Sequence, residues 1–140
     1  TSIINYVEGS RFTQDKHQRQ NSPYQHLLRP KAGGIAFTLS AMGEQFTNLL
    51  DMTIVYPDAP EDILFGVMNG KVSKIIVRIN ALPVPQVDAA RYFSESEYRV
   101  EFQRWLNQVW AEKDQQIHAL LQTNQNVADS ATSTNHTQAS

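Results

Sequence analysis

The chain has no cysteine. That absence excludes disulfides, thiolate metal sites and cysteine nucleophiles together, and says little about compartment. It also lacks a dominant charge: 12 Lys and Arg stand against 14 Asp and Glu, a formal net charge of -2 with a pI near 6.0. A uniformly basic nucleic-acid binder is thereby excluded. No apolar run approaches the roughly 20 residues that a membrane-spanning helix requires. Histidine is sparse, and His17, His26, His118 and His136 offer no pair spaced to ligate zinc from one helical face, so no metal is expected. What remains is 140 residues, 41% hydrophobic, enough for one ordinary domain or part of a larger one.

The two ends differ in character. Thr1 and Ser2 run straight into the apolar stretch 3–7, with no leader pattern, which reads as a cut through a longer chain. In 122–140, 13 of 19 residues are Ser, Thr, Asn or Gln. So little buriable surface cannot offset the entropy of ordering, and a disordered polar tail is expected there, behind a domain portion covering 1–121.

Between the ends the pattern is mixed. Residues 3–7 are a short apolar run rich in β-branched residues and suit a buried strand ended by Gly9. Residues 9–32 read as a long polar loop, locally basic through Arg11, Lys16, Arg19, Arg29 and Lys31 against Asp15 alone. Most such charge runs are simply solvated. Ile35, Leu39, Met42 and Phe46 repeat at i, i+4, i+7 and i+11, the stripe of a helix that Gly43 frays or ends. Residues 49–56 read as a second strand stopped by Pro57, and 63–67 as a short third one. Asn69-Gly70 signals a tight turn before a strand over 72–79, with Ile75, Val77 and Ile79 on one face and Lys74, Ile76 and Arg78 on the other. Pro83 and Pro85 break the chain. Ser94 and Glu97 then form a capping box for a long helix carrying Tyr98, Phe102, Trp105 and Val109 and continuing through Ile117, Leu120 and Leu121. Tryptophans on such a helix, here Trp105 and Trp110, are more often core or docking surface than a ligand platform. Strands alternating with helices predict an α/β layered architecture with a mixed sheet.

The chemistry concentrates in Glu8-Gly9-Ser10-Arg11, a sharp turn that gathers a carboxylate, a hydroxyl and a guanidinium, with Gly9 admitting backbone close to a ligand. Arginine suits phosphate because its planar fork donates two parallel hydrogen bonds. Four letters alone are weak evidence. In context, 7–12 (Val-Glu-Gly-Ser-Arg-Phe) resembles the third conserved block, Phe-Pro-Glu-Gly-Thr-Arg, of the glycerolipid acyltransferases that act on lysophosphatidic acid. The stretches Ser22-Pro23-Tyr24, 27–34, 52–58 and 98–114 are similar to the C-terminal half of the YihG-type bacterial inner-membrane members of that PlsC-like family. The resemblance covers about 1–121.

That resemblance implies the C-terminal part of a layered, mixed-sheet acyltransferase domain. The reaction it implies moves a fatty acyl group from acyl-CoA or acyl carrier protein, a co-substrate and not a bound cofactor, to the hydroxyl of 1-acylglycerol 3-phosphate. It gives Arg11 the phosphate contact and Glu8 an orienting role, with Gly9 and Ser10 in the same block. Lys31, ahead of Gly33, Gly34 and a helix start, is a second phosphate ligand on this reading, aided by the helix N-terminus. Tyr56 and Pro57 fall in the family's fourth block, on the acyl-donor side. It further implies a parent protein at the cytoplasmic face of a bacterial inner membrane. Two positions depart from the family: Val7 stands where many members have Pro, and Thr53 replaces a common Pro.

The family's catalytic block is Asn-His followed four residues later by Asp, the His acting as general base on the acceptor hydroxyl. Four and five residues beyond His17, His26 and His118 stand Asn21 and Ser22, Pro30 and Lys31, and Gln122 and Thr123; His136 has only the chain end. No catalytic residue is therefore expected among these 140. The alternative is a stand-alone phosphate- or phospholipid-binding module using Arg11, Arg29 and Lys31. A nucleic-acid contact by the basic loop ranks last, since aromatics are not interleaved through it. A piece cut from a layered domain is also expected to expose the edge of 3–7 and parts of the stripe Ile35, Leu39, Met42 and Phe46, and hence to self-associate.

Overall fold

The computed structural model describes residues 2–58 and 63–137. Its elements in order are α1 (Gln14–Arg19), α2 (Ala32–Met42), a 3-10 turn (Gly43–Gln45), β1 (Leu49–Val55), α3 (Ile63–Met68), β2 (Ile76–Leu82), α4 (Ala89–Ser94) and α5 (Ser96–Thr137). They form two compact units: 1–51 with 81–114, and 52–80 with 115–140. The fold is mixed α/β with a long C-terminal helix, and among the described residues the sheet has two strands, β1 beside β2.

In the first unit, α2 and α5 supply the core. Ile35, Ala36 and Leu39 of α2 are buried with Tyr24, Leu27, Leu28, Tyr92, Phe102, Leu106 and Trp110. Each such Leu or Ile side chain contributes about 2 kcal/mol by leaving water. Gly43 closes α2, its N–H donating to the Leu39 carbonyl, as the sequence led one to expect. Of the stripe expected to be partly exposed, Ile35 and Leu39 are buried and Met42 and Phe46 are half-buried. Leu28 and Leu106 are 0% and 1% exposed, and the buried register of α5 runs Phe102, Leu106, Trp110, one step from the expected 98, 102, 105, 109. Tyr98 has a different task, since its hydroxyl accepts from the Asp88 N–H at 3.1 Å. Ser94 ends α4 instead of capping α5, and Asp88 is the N-cap of α4, accepting from Arg91 N–H.

Two further expectations in this unit fail. Residues 3–7 form no strand among the described residues, and Ile4 and Tyr6 are over 80% exposed, because β-branched composition is not enough without a neighbouring strand to take up the backbone groups. The long loop instead contains α1, capped by Thr13, whose hydroxyl accepts from the Lys16 N–H, with Asp15 in the first turn.

In the second unit, 63–68 is helical, not the expected strand; a short apolar run carries no periodicity to separate the two. Asn69-Gly70 does not make a hairpin. Gly70 has φ +65°, its N–H donates to the Val67 carbonyl and the Lys71 N–H to the Gly66 carbonyl, the Schellman closure of α3. Thr53 and Val55 of β1 are buried, and Met52 and Ile54 point outward at 53% and 48% exposure. In β2 the faces are the reverse of expectation: Val77 and Ile79, preceded by Ile75, are exposed, and Ile76, Asn80 and Leu82 are half-buried. The inward face is the one that meets α5, through Asn80 Nδ2 donating to Gln116 Oε1 at 2.9 Å. Residues 122–137, expected as a disordered tail, continue α5, and Lys74 Nζ donates to Asn124 Oδ1 at 2.7 Å. No helix among the described residues is long and apolar enough to cross a membrane.

Candidate functional site

The segment 24–31 is laid along α5 by one hydrogen bond after another. Gln103 Nε2 donates to the Pro30 carbonyl at 3.2 Å, the Tyr24 hydroxyl to the Asn107 carbonyl at 3.3 Å, and the Trp110 indole N–H to the Leu28 carbonyl at 3.1 Å. The Asp114 carboxylate accepts from the Gln25 and His26 N–H groups at 2.8 and 2.7 Å. A rigid helix thus takes up the polar backbone of a non-repetitive stretch, which would otherwise be left unpaired on burial. Beneath it, Lys113 Nζ donates to Asp51 Oδ1 at 2.6 Å and lies 5.2 Å from the Trp110 ring centre.

The Glu8-Gly9-Ser10-Arg11 turn docks on that frame. Gly9 N–H donates to the Tyr6 carbonyl and Lys31 N–H to the Val7 carbonyl, both at 2.9 Å. Glu8 is half-buried and faces inward, one oxygen accepting from Leu28 N–H at 3.2 Å. Burial pushes its carboxyl above the usual 4.5, against the opposing pull of the Leu28 N–H, Trp110 and Lys113. Glu8 therefore fastens the turn to the frame.

Gly9 has φ +69°, and a Cβ added there would stand 3.3 Å from Lys31 Nζ. The lysine ammonium is thus held over bare backbone. Lys31 is also the N-cap of α2 and provides no side-chain cap, a place where Ser, Thr, Asp or Asn is favoured. A cation at the positive end of a helix adds like to like, which an anion at the same place would offset. A Cβ at Gly33, in the first turn, would meet nothing within 4 Å, so that end of α2 is open, and Asn5 lies beside Gly34. Ser10 and Arg11 are exposed; Lys16 Nζ donates to the Arg11 carbonyl at 3.2 Å, fixing the backbone, while among the described residues the Arg11 and Lys31 side-chain cations have no ion pair.

Arg29 does not join them. Its guanidinium donates to the Gln20 and Asn21 carbonyls, closing the turn in which Asn21 has φ 46°. Tyr56 and Pro57 follow β1 in the second unit, both half-buried. The supporting residues Gln103, Asn107, Trp110, Lys113 and Asp114 were not singled out as functional from sequence. One signal was available: a lysine, Lys113, recurring in register with Phe102, Leu106 and Trp110 on an apolar face.

This turn and helix start, with Lys31 beside Gly9 and Arg11, occur in a chain whose curated homologues are acyltransferases of the 1-acyl-sn-glycerol-3-phosphate acyltransferase type, at about 25% identity. The 2-acyl-1-lysophosphatidylinositol acyltransferase of Saccharomyces cerevisiae is 24% identical, over 94% of this chain and 36% of its own length. The 1-acyl-sn-glycerol-3-phosphate acyltransferase delta of Bos taurus is 26% identical over 78% of this chain and 29% of its own, and an uncharacterized acyltransferase of Schizosaccharomyces pombe 27% over 87% and 37%. The chain spans about a third of the length of these relatives. No family model and no solved structure matches it.

Proposed function

We propose that this chain is the acceptor-binding portion of an enzyme that moves a fatty acyl group from a thioester, acyl-CoA or acyl carrier protein, to the free hydroxyl of a lysophosphatidic-acid-type acceptor. Arg11, Lys31 and the first-turn amides of α2 hold the acceptor phosphate, with Ser10 beside them and Glu8 anchoring the turn. In the transfer, the acceptor oxygen bonds to the thioester carbonyl carbon, the carbon–sulfur bond breaks, and the proton of the hydroxyl leaves with the thiol. The base that takes that proton is not among these residues. Tyr56 and Pro57 belong to the donor side. The reading places the whole enzyme at a membrane, where its lipid acceptor resides. The observation that carries it is the cation Lys31 set over Gly9 at an uncapped helix start, two residues from Arg11, which has no ion pair among the described residues.

The test is titration of the purified chain with glycerol 3-phosphate, followed through amide resonances. Shifts should concentrate at Gly9, Gly33 and Gly34, and Arg11→Ala with Lys31→Ala should weaken binding by about tenfold or more, since a hydrogen bond to a charged group is typically worth about 1.5–3 kcal/mol. Shifts elsewhere, or an unchanged affinity, would sink the reading. The stand-alone binding module shares this site, and a longer polypeptide containing it that turns over acyl-CoA with lysophosphatidic acid separates the two.

A further inference from the structure

In the second unit, a groove of about 370 Å³ lies between β2 and α5. One wall is the inward face of the β2 segment, where Lys74, Ile76 and Arg78 follow one another at every second residue; the other is α5, with Ala119, Leu120 and Val127. Its lining is thus two cations and an apolar strip of Ile76, Ala119, Leu120 and Val127, with Gln116, Thr123 and Asn124 as its neutral polar groups. Among the described residues no carboxylate lines it. Asp58 is reached only through Asn124, whose Nδ2 lies 3.5 Å from it, and its other oxygen accepts from the Ser73 hydroxyl. Lys74 is held in place by Asn124 Oδ1, and the Arg78 guanidinium has no hydrogen bond or ion pair among the described residues. Lys74 and Arg78 are exposed, so their charges stand at the open side of the groove, and the volume falls in the range of small-molecule sites.

We infer that this groove is a second binding site, for an anionic amphiphile with a single acyl chain, its head on Arg78 and Lys74 and the start of its chain along Ile76, Ala119 and Leu120. The shared chemistry is one anionic group on one chain; a carboxylate or a phosphate monoester can supply the head. This site is separate from the turn at Gly9 and does not depend on the reading given for it.

Calorimetric titration of the full chain with laurate, below its micelle concentration, tests this. One saturable site is expected, weakened about fivefold or more by Arg78→Gln or Lys74→Gln, each removing one charge-assisted hydrogen bond, and unchanged by Arg11→Ala. A parallel titration with 1-lauroylglycerol 3-phosphate, in the Arg11→Ala background, tells whether a phosphate head serves as well as a carboxylate. Inorganic phosphate should bind at least tenfold more weakly than laurate, and dodecyltrimethylammonium should not compete. Equal binding of the cationic detergent, equal binding of phosphate alone, or indifference to both substitutions overturns the inference. Should the variants fail to fold, laurate-induced amide shifts in the unaltered chain decide: shifts at Ala119, Leu120 and Asn124 support the groove, and shifts confined to Gly9 and Gly33 refute it.

Discussion

Gly9→Ala and Gly33→Ala should change stability in opposite directions. At Gly9 the backbone has φ +69°, where an L-residue with a Cβ loses roughly 1–2 kcal/mol. Part of that is offset, because alanine restricts the unfolded chain, by about 0.4–1 kcal/mol. The nearest atom to the new Cβ is Lys31 Nζ at 3.3 Å, the far end of a flexible side chain, so the contact itself is relieved cheaply by moving the ammonium. The net expectation is a loss of about 1 kcal/mol, with weaker phosphate binding because the ammonium has moved. At Gly33 the position is helical and a Cβ meets nothing within 4 Å, so alanine should add about 0.5–1 kcal/mol through helix propensity. Urea unfolding at one pH, followed by far-UV circular dichroism and Trp110 fluorescence, measures both. If Gly9→Ala were neutral or stabilising, the turn would not hold its left-handed residue in solution and the placement of Lys31 would lose its basis.

Glu8→Gln bears on pH. The folded carboxyl titrates above its ordinary 4.5, so folding favours the protonated form; that contribution is complete below 4.5 and is lost as pH rises through the raised value. Urea midpoints should therefore fall with pH over that window in the parent more than in Glu8→Gln, whose amide oxygen still accepts from Leu28; parallel curves would mean Glu8 is not desolvated. Lys113→Met strands the Asp51 carboxylate, 14% exposed, and should cost about 3 kcal/mol. Pairing it with Asp51→Leu should restore most of the loss, and an additive double variant would show that the two do not interact. Asp114→Ala leaves the Gln25 and His26 amides without their acceptor and should cost about 2 kcal/mol in the same assay, with Asp114→Asn costing about half, since one of the two oxygens becomes an amide. Faster amide exchange at 25–28 is the accompanying signature, and unaltered exchange would refute it.

Legibility from sequence followed the range of the interactions. The α2 stripe and its Gly43 stop, β1, the break at Pro83 and the existence of the long helix are local patterns and were readable. The turn at Glu8-Gly9-Ser10-Arg11 was readable as chemistry because glycine and arginine narrow what a position can do. Residues 3–7 and 63–67 misled because β-branched or apolar runs fit a strand only when a neighbour exists to pair with them. The inversion of β2 has a sharper cause: Ile75, Val77 and Ile79 are the more apolar set, yet hydrogen bonding of Asn80 to Gln116 and Lys74 to Asn124 selects the other face for α5. The role of Glu8 as an anchor and that of Arg29 as a loop closure depend on partners, Leu28 and Trp110 for one and Gln20 and Asn21 for the other, that no spacing rule connects. Helix register one step from the expected stripe likewise came from Tyr98, an aromatic spent on the Asp88 backbone.

The lacing of 24–31 to α5 also sets an order of events during synthesis. Gln25 and Asp114 are 89 residues apart, and Leu28 and Trp110 are 82. At roughly 5–20 residues per second, the turn at Gly9 and the start of α2 wait on the order of 4 to 18 seconds for the helix that holds them. Through that interval the segment is without the α5 groups that receive its backbone, and its own local element is the short helix α1. A ribosome-bound chain stalled before Trp110 has emerged should expose 24–31 to protease, and one stalled well past Asp114 should protect it, so the turn at Gly9 is among the last parts of the first unit to take shape.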